Sequence, residues 1–333
     1  KMEELQKELD DTEYITEVAL GFGNGFALTN QGKLYGWGST RMLPNIDGEN
    51  DQFNPPTEIT YFKDYFKEEE IIVKIEFKFQ TVFILTNKGE LWCWGFNVNG
   101  ECGTGSERMW VDPPTQLPTF KFDDNEYIIQ IGTQQKTCIL TNKGKLFIWG
   151  KGYERWPMYF DKFNNLGNEE RVIQIAMGVS YCLALTNKGS VYSWGANNEY
   201  QCGLGHNQYI GEPTKIERFN PAEGVVVQVV AAMYHSLALT DKGTIYSWGS
   251  NERALCGHQI EYEHTKTPLK LSFNDQLREN EIITQVAGGF TNSIALGSKG
   301  TLVGWGWNEA GQCGIDVSEL IYPTKLSDFM KKH

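Results

Sequence analysis

Hydrophobic and polar positions along the chain follow one pattern six times. A leucine (Leu28, Leu85, Leu140, Leu185, Leu239, Leu296) is followed four residues on by a glycine (Gly32, Gly89, Gly144, Gly189, Gly243, Gly300). Five residues after each glycine stands a Trp-Gly pair, at Trp37, Trp94, Trp149, Trp194, Trp248 and Trp305. Before the glycine lies a short apolar run such as CLAL or SLAL, and after it an alternating one such as VYSW. Apolar runs on either side of a tight polar break predict an antiparallel hairpin. The break reads Thr-Asn-Lys-Gly in three copies and Thr-Asp-Lys-Gly in another. That composition suits a type I turn closed by a residue with positive φ, which glycine adopts without a Cβ clash. Each tryptophan then ends the second strand of its hairpin, where its ring can fill the wedge between adjacent sheets.

After most Trp-Gly loops comes a Pro-Thr pair (Pro56-Thr57, Pro114-Thr115, Pro213-Thr214, Pro323-Thr324), varied as Thr267-Pro268 in the fifth copy, with only Pro157 in the third. A short strand there, a polar linker and a further apolar strand (128–131, 172–175, 225–230, 282–286) bring the count to four strands per unit of about fifty-five residues. Four-stranded units at such a period predict propeller blades. The first hairpin has no Pro-Thr strand before it, and the last Pro-Thr strand, 323–326, has no hairpin after it. The expectation is therefore an all-β propeller of six four-stranded blades over 14–333, closed by lending its C-terminal strand to its N-terminal blade. Seven blades is the alternative. Closure of that kind removes exposed sheet edges. Residues 1–13, with Met2, Leu5 and Leu9 at helical spacing, predict a short N-terminal helix.

Two units are irregular. The third loses about eleven residues between Trp149 and its proline, which shortens one loop. The second linker, 61–70, is enlarged and carries Tyr61, Phe62, Tyr65 and Phe66 at helical spacing, either a helix lying on the rim or a docking ridge.

Composition narrows the function. The net charge of −12 over 333 residues repels phosphate backbones and anionic lipid, so direct nucleic-acid binding is not expected and a basic partner surface is. The longest apolar run, 225–233, is too short to span a bilayer, so no membrane insertion is expected. Of seven cysteines, Cys102, Cys202, Cys256 and Cys313 all fall eight residues after a repeat tryptophan, one per unit, so they do not converge. No zinc-type spacing occurs, and no metal or cofactor is expected. Buried thiols in a reducing intracellular compartment, cytoplasmic or nuclear, are the expectation. The Gly-rich string 100–105 lacks a phosphate-binding lysine and is repeated in part at 201–205, so it is a turn. Glu68–Glu70 and Asp123-Asp124 read as solvated charge runs. No nucleophile has a base at supporting spacing, so no catalytic residue is nominated. The tryptophans outside the repeat position, Trp110, Trp156 and Trp307, lie in or beside the loops after the Trp-Gly pairs. They are candidate partner contacts, because tryptophan is enriched at binding hot spots. Trp92 alternates with Trp94 and is expected to pack between blades. His235, at a strand entry, is either a partner contact or a structural hydrogen-bonder.

The stretches 231–249 (AAMYHSLALTDKGTIYSWG) and 305–314 (WGWNEAGQCG) resemble the repeat of the regulator of chromosome condensation family. The resemblance covers nearly the whole chain. It implies a β-propeller whose founding member is a guanine nucleotide exchange factor for the small GTPase Ran. Other members use the propeller as a docking platform in ubiquitin ligases, ciliary proteins, kinases and a plant photoreceptor. The best-known members have seven blades where this chain shows six repeats. The histidine before the Ser-x-Ala-Leu strand occurs only as His235, with Asn24, Thr81, Lys136, Tyr181 and Asn292 at the matching positions. The inserted β-wedge of the Ran exchange factor has no counterpart, and neither has the photoreceptor's Gly-Trp-Arg-His-Thr cluster. The resemblance implies a protein-interaction propeller, a monomer or a subunit of a complex, that regulates a small GTPase. The alternative is a non-catalytic scaffold in a ciliary, ubiquitin-ligase or organellar assembly.

Overall fold

The computed structural model describes residues 9–21, 23–44, 54–118, 120, 122–167, 169–258, 263–273, 275–309, 311–315 and 317–326. They form an all-β propeller of six four-stranded antiparallel blades, each with its strands in chain order. The chain divides into two compact units, 1–160 and 161–333, of three blades each. Blade 2 is representative: an inner strand Ile72–Lys78, the hairpin Thr81–Thr86 and Leu91–Phe96, and an outer strand Trp110–Gln116. The second strand of blades 1 to 5 is buried at every residue, because both faces of the sheet are covered. Its sequence therefore reads as a nearly continuous apolar run rather than an alternating one.

Six blades stand, but the expected route of closure does not. The last strand, Glu319–Lys325, pairs with Leu302–Trp307 of its own blade, and the first blade is completed by its own Asn54–Glu58. The difference lies in the phase of the repeat. The Pro-Thr strand ends a blade instead of beginning one, and the first blade opens on Ile15–Gly21. No strand has to be lent. The N-terminal helix expected over 1–13 falls for residues 1–8 outside the described residues, and 9–13 form a turn closed by the Glu13 N–H on the Asp10 carbonyl. Among the described residues no helix is long and apolar enough to cross a membrane. All seven cysteines are buried thiols.

The hairpin turns follow the expected chemistry. In the second blade the Gly89 N–H donates to the Thr86 carbonyl and the Thr86 N–H to the Glu90 carbonyl, with Gly89 at φ +80°. The turn asparagine has a second duty that the sequence did not disclose. Asn87 Oδ1 accepts from the Ile71 N–H at 3.1 Å while its Nδ2 donates to the Glu69 carbonyl at 2.9 Å, which ties the turn to the start of the inner strand. Asn142 and Asn187 repeat the arrangement, and Asp241 supplies the acceptor half.

Behind each turn sits a glutamate preceding the inner strand: Glu13, Glu70, Glu126, Glu170, Glu223 and Glu281. Glu70 is therefore not the solvated charge expected of it, being 6% exposed. Glu281 shows what the position does. Burial pushes its carboxyl up, but hydrogen bonds from the N–H groups of Arg278, Thr301 and Lys299 and from the Thr301 hydroxyl outweigh that and hold it at about 2. Its stabilising contribution is complete above the ordinary value of 4.5 and is lost as pH falls from there through 2. Acid unfolding of Glu281→Gln should consequently be flatter than wild type between those limits. An unchanged acid limb would show that these bonds carry no linkage.

Side chains join consecutive blades within the units at three levels, the first and third of them in 161–333. Near the inner strands, Gln174 donates to the Val229 carbonyl (3.0 Å) and accepts from its N–H (2.9 Å), and Gln228 does the same to Val286. These side chains satisfy backbone groups on what would otherwise be an open strand edge. Deeper in, Trp94 Nε1 donates to the Met42 carbonyl, Trp149 to Glu101 and Trp248 to Gln201, each on the loop of the preceding blade. The glycine after the loop cysteine makes room for that ring. A Cβ on Gly103 would stand 2.7 Å from Trp149 Nε1, and one on Gly203 would stand 2.8 Å from Trp248 Nε1. At the third level, Tyr181 donates to the His235 carbonyl (2.7 Å), and His235 Nε2 meets Ser293 Oγ at 2.8 Å.

Candidate functional site

The loops after the Trp-Gly pairs are the most built part of the surface. Four of them share the frame Trp-Gly-x-Asn, and the asparagine, at most 2% exposed, is the post on which the loop is wound (Asn97, Asn197, Asn251, Asn308). Asn97 Oδ1 accepts from the Cys102 N–H at 2.9 Å, and its Nδ2 donates to the carbonyls of Ser106 (3.1 Å) and Arg108 (3.0 Å). Burying an amide is favourable only when its donors and acceptor are matched, and this one is. Two residues further on than the bound asparagine's neighbour, the chain needs positive φ. Gly100 and Gly311 supply it, whereas Tyr200 and Ala254 hold φ of 58° and 57° there as non-glycine residues. Ala254→Gly should therefore raise stability by about 1 kcal/mol, read as a shifted urea midpoint. A destabilised variant would mean that the methyl's packing outweighs its backbone strain.

The shortened third loop changes role. Lacking an asparagine post of its own, it sends Arg155 across to blade 2. The guanidinium donates to the carbonyls of Ser106 (3.2 Å) and Val98 (3.0 Å). The Gly105 N–H returns a bond to the Arg155 carbonyl at 3.0 Å. This clamp sets Trp156, 48% exposed, beside Gly105 on the loop that also carries Val98 (39%) and Met109 (70%). Three exposed apolar side chains on two mutually clamped loops form a firm, partly greasy rim.

The other sequence candidates sit differently. Trp110 is half-buried against the core of blades 1 and 2, with the Arg41 guanidinium 4.0 Å from its ring centre. Trp307 is likewise half-buried, with Arg253 4.6 Å from its ring and Glu309 3.8 Å from that arginine. Both are cation–π stacks in which the arginine comes from the preceding blade. His235 is fully buried and burial lowers it to about 4, so at neutral pH it is an uncharged link between blades with no side-chain surface to offer a partner. Trp156 is thus the one nominated residue that is mainly exposed. Trp110 and Trp156 share the rim of the first unit; Trp307 and His235 belong to the second. The stretch 61–70, expected as either a rim helix or a docking ridge, holds a short 3-10 turn, Tyr61–Asp64, with Tyr61 and Phe62 buried and Tyr65 alone of the four exposed. Its rings instead cover Trp92, which lies 5.7 Å from Phe62 and 5.6 Å from Tyr65. Missed from sequence were Arg41, Arg155 and Arg253. The Arg-Trp dipeptide at 155–156, inside the shortest loop, was the signal available.

Comparison with known proteins places this geometry. Segments 15–41, 72–101, 172–201, 226–254 and 283–312 match one description of the regulator of chromosome condensation (RCC1) repeat, and 88–133, 188–239 and 242–296 match a second. The chain is 29% identical over 311 residues, 90% of its length, to the E3 ubiquitin-protein ligase HERC2 of Mus musculus, of which it spans 6%. It is 37% identical over 145 residues, 42% of its length, to 30% of the RCC1-like G exchanging factor-like protein of Mus musculus. Its fold superimposes on Prp20p from Saccharomyces cerevisiae, whose crystal structure is described together with its binding to Gsp1p and histones. The TM-score is 0.76 at 23% identity, covering 93% of this chain and 76% of that one. The chain spans less than a third of the length of the ligase and of the G exchanging factor-like protein.

Proposed function

Because the chain belongs to the regulator of chromosome condensation repeat family, we propose that it is a protein-interaction propeller that regulates a small GTPase as an exchange factor does. The observation that carries this reading is the clamped rim of Trp156, Met109 and Val98. Nucleotide exchange asks for no acid, base or metal of its own. It requires only a surface that binds the nucleotide-free GTPase more tightly than the loaded one. A firm rim with one large exposed aromatic ring suits that task, since ordering costs have been met in advance. The similarity of 42% of the chain to a G exchanging factor-like protein supports the same reading.

The test is release of a fluorescent GDP analogue from a panel of purified small GTPases. The expected result is acceleration of about a hundredfold or more on one member, reduced at least about tenfold by Trp156→Ala with unchanged thermal stability. No acceleration on any member would overturn the reading. The similarity to a segment of an E3 ubiquitin-protein ligase then favours the second one, a non-catalytic docking module of a larger assembly.

A further inference from the structure

In three blades the glycine of the hairpin turn is covered by the residue in front of the next inner strand. A Cβ on Gly32 would stand 2.6 Å from Ile71 and one on Gly243 would stand 2.8 Å from Ile282, and Gly189 meets Val225 in the same way. Tyr127 holds the equivalent place after blade 2, yet nothing lies within 4 Å of a Cβ on Gly89. A cleft of about 390 Å³ opens there within the first unit, between that turn and the linker that leads into blade 3. Its apolar walls include Phe120 and Phe122, both half-buried, with Val73 (45% exposed) and Tyr127 (59%). The two phenylalanine rings lie parallel, their centres 5.4 Å apart.

Two charged residues line the cleft, Glu126 and Lys88. Glu126 is matched. Its carboxylate accepts from the Thr141 hydroxyl at 2.7 Å, the Lys145 ammonium at 3.0 Å and the Asp123 N–H at 3.1 Å. Lys88 is not. The lysine of the turn elsewhere caps a carbonyl of the linker before its own hairpin: Lys143 on Asp124 at 2.8 Å, Lys242 on Ala222 at 3.0 Å and Lys299 on Glu279 at 2.7 Å. The Lys88 ammonium makes no hydrogen bond or ion pair among the described residues. An apolar cleft of a few hundred Å³ with a single placed polar group is the usual form of a small-molecule site. We propose that this cleft binds a small amphipathic acid, an arylalkyl carboxylate, with its ring against Phe120 and Phe122 and its carboxylate on Lys88. An aromatic ring gains both burial and offset stacking there. The ammonium stands at the exposed mouth, so pairing it asks little desolvation of either charge. The net charge of −12 does not oppose such a contact, which forms well inside a screening length of about 8 Å. This assignment is independent of the GTPase reading.

The experiment is an NMR titration of the full chain with 4-phenylbutyrate, set against the neutral 4-phenylbutanamide. The expected result is saturable shifts at the amides of Gly89 and Tyr127, with the acid binding at least about threefold more tightly than the amide. Lys88→Gln, at an exposed position, should bring the acid down to the level of the amide and leave the melting temperature unchanged. Val73→Glu sets a carboxylate on the exposed wall and should weaken the acid more than the amide. No saturable shift in the wild-type chain, equal binding of acid and amide, or undiminished binding of the acid in Lys88→Gln would each overturn the proposal.

Discussion

Trp248→Ala should lower the unfolding free energy by about 4 kcal/mol, the cost of a large cavity where a fully buried indole stood. The ring packs 6.0 Å from Phe219, and its N–H reaches the Gln201 carbonyl at 2.8 Å. That carbonyl also accepts from Ser236 Oγ at 2.8 Å, so it keeps a partner in the variant and the loss is mainly one of packing. The comparison that gives the figure meaning is Trp37→Ala. Trp37 holds the same repeat position but is half-buried, and its removal should cost about half as much. Urea unfolding of both variants decides the matter. Equal costs would show that the ring's role at this position is local to its own blade and not tied to filling the space against a neighbouring one.

Asn97→Ala should cost about 3 kcal/mol and should act on the rim as well as on stability. The substitution strands the buried Cys102 N–H, which carries a desolvation penalty, and takes a donor from the part-buried carbonyls of Ser106 and Arg108, the first of which keeps Arg155. Arg155 also grips the Ser106 and Val98 carbonyls, so unwinding this loop loosens the support of Trp156. Hydrogen exchange should show the Cys102 amide opening far more readily. Trp156→Ala, by contrast, should spare stability and affect binding alone, because half of that ring already faces solvent. A Cys102 amide as protected in Asn97→Ala as in wild type would refute the post-and-loop account.

The hairpins were legible because nine residues of invariant spacing contain a period-two strand, a turn and another strand, all local. Their phase was not. A repeat that recurs head to tail does not mark where one unit ends, and the strand that decides it, Ile15–Gly21, hides behind Thr16 and Glu17. Glu17 is polar for a reason visible only in three dimensions: its carboxylate accepts the Ile75 N–H of the next blade at 2.9 Å. The same limit explains the functional residues. Trp156 could be nominated from its place in a loop, but Arg155 works across a distance of about fifty residues, on Ser106. His235 looked like a lone histidine at a strand entry and proved to be one step in a buried ladder running from Tyr181 to Ser293. Contacts between blades leave no trace in a single sequence, whereas the turn chemistry within a blade does.

The indole-to-carbonyl joint has a polarity. In the three joints that form, the donor sits on the later blade and the acceptor on the earlier one, and for Trp149 and Trp248 the glycine that makes room for the ring belongs with the acceptor. Blade 2 therefore carries a plug toward blade 1 and a socket toward blade 3, and a duplicated copy of it would enter the series with both already made. Growth or loss of a blade in the history of such a chain needs no new interface, only one more or one fewer turn of an existing thread.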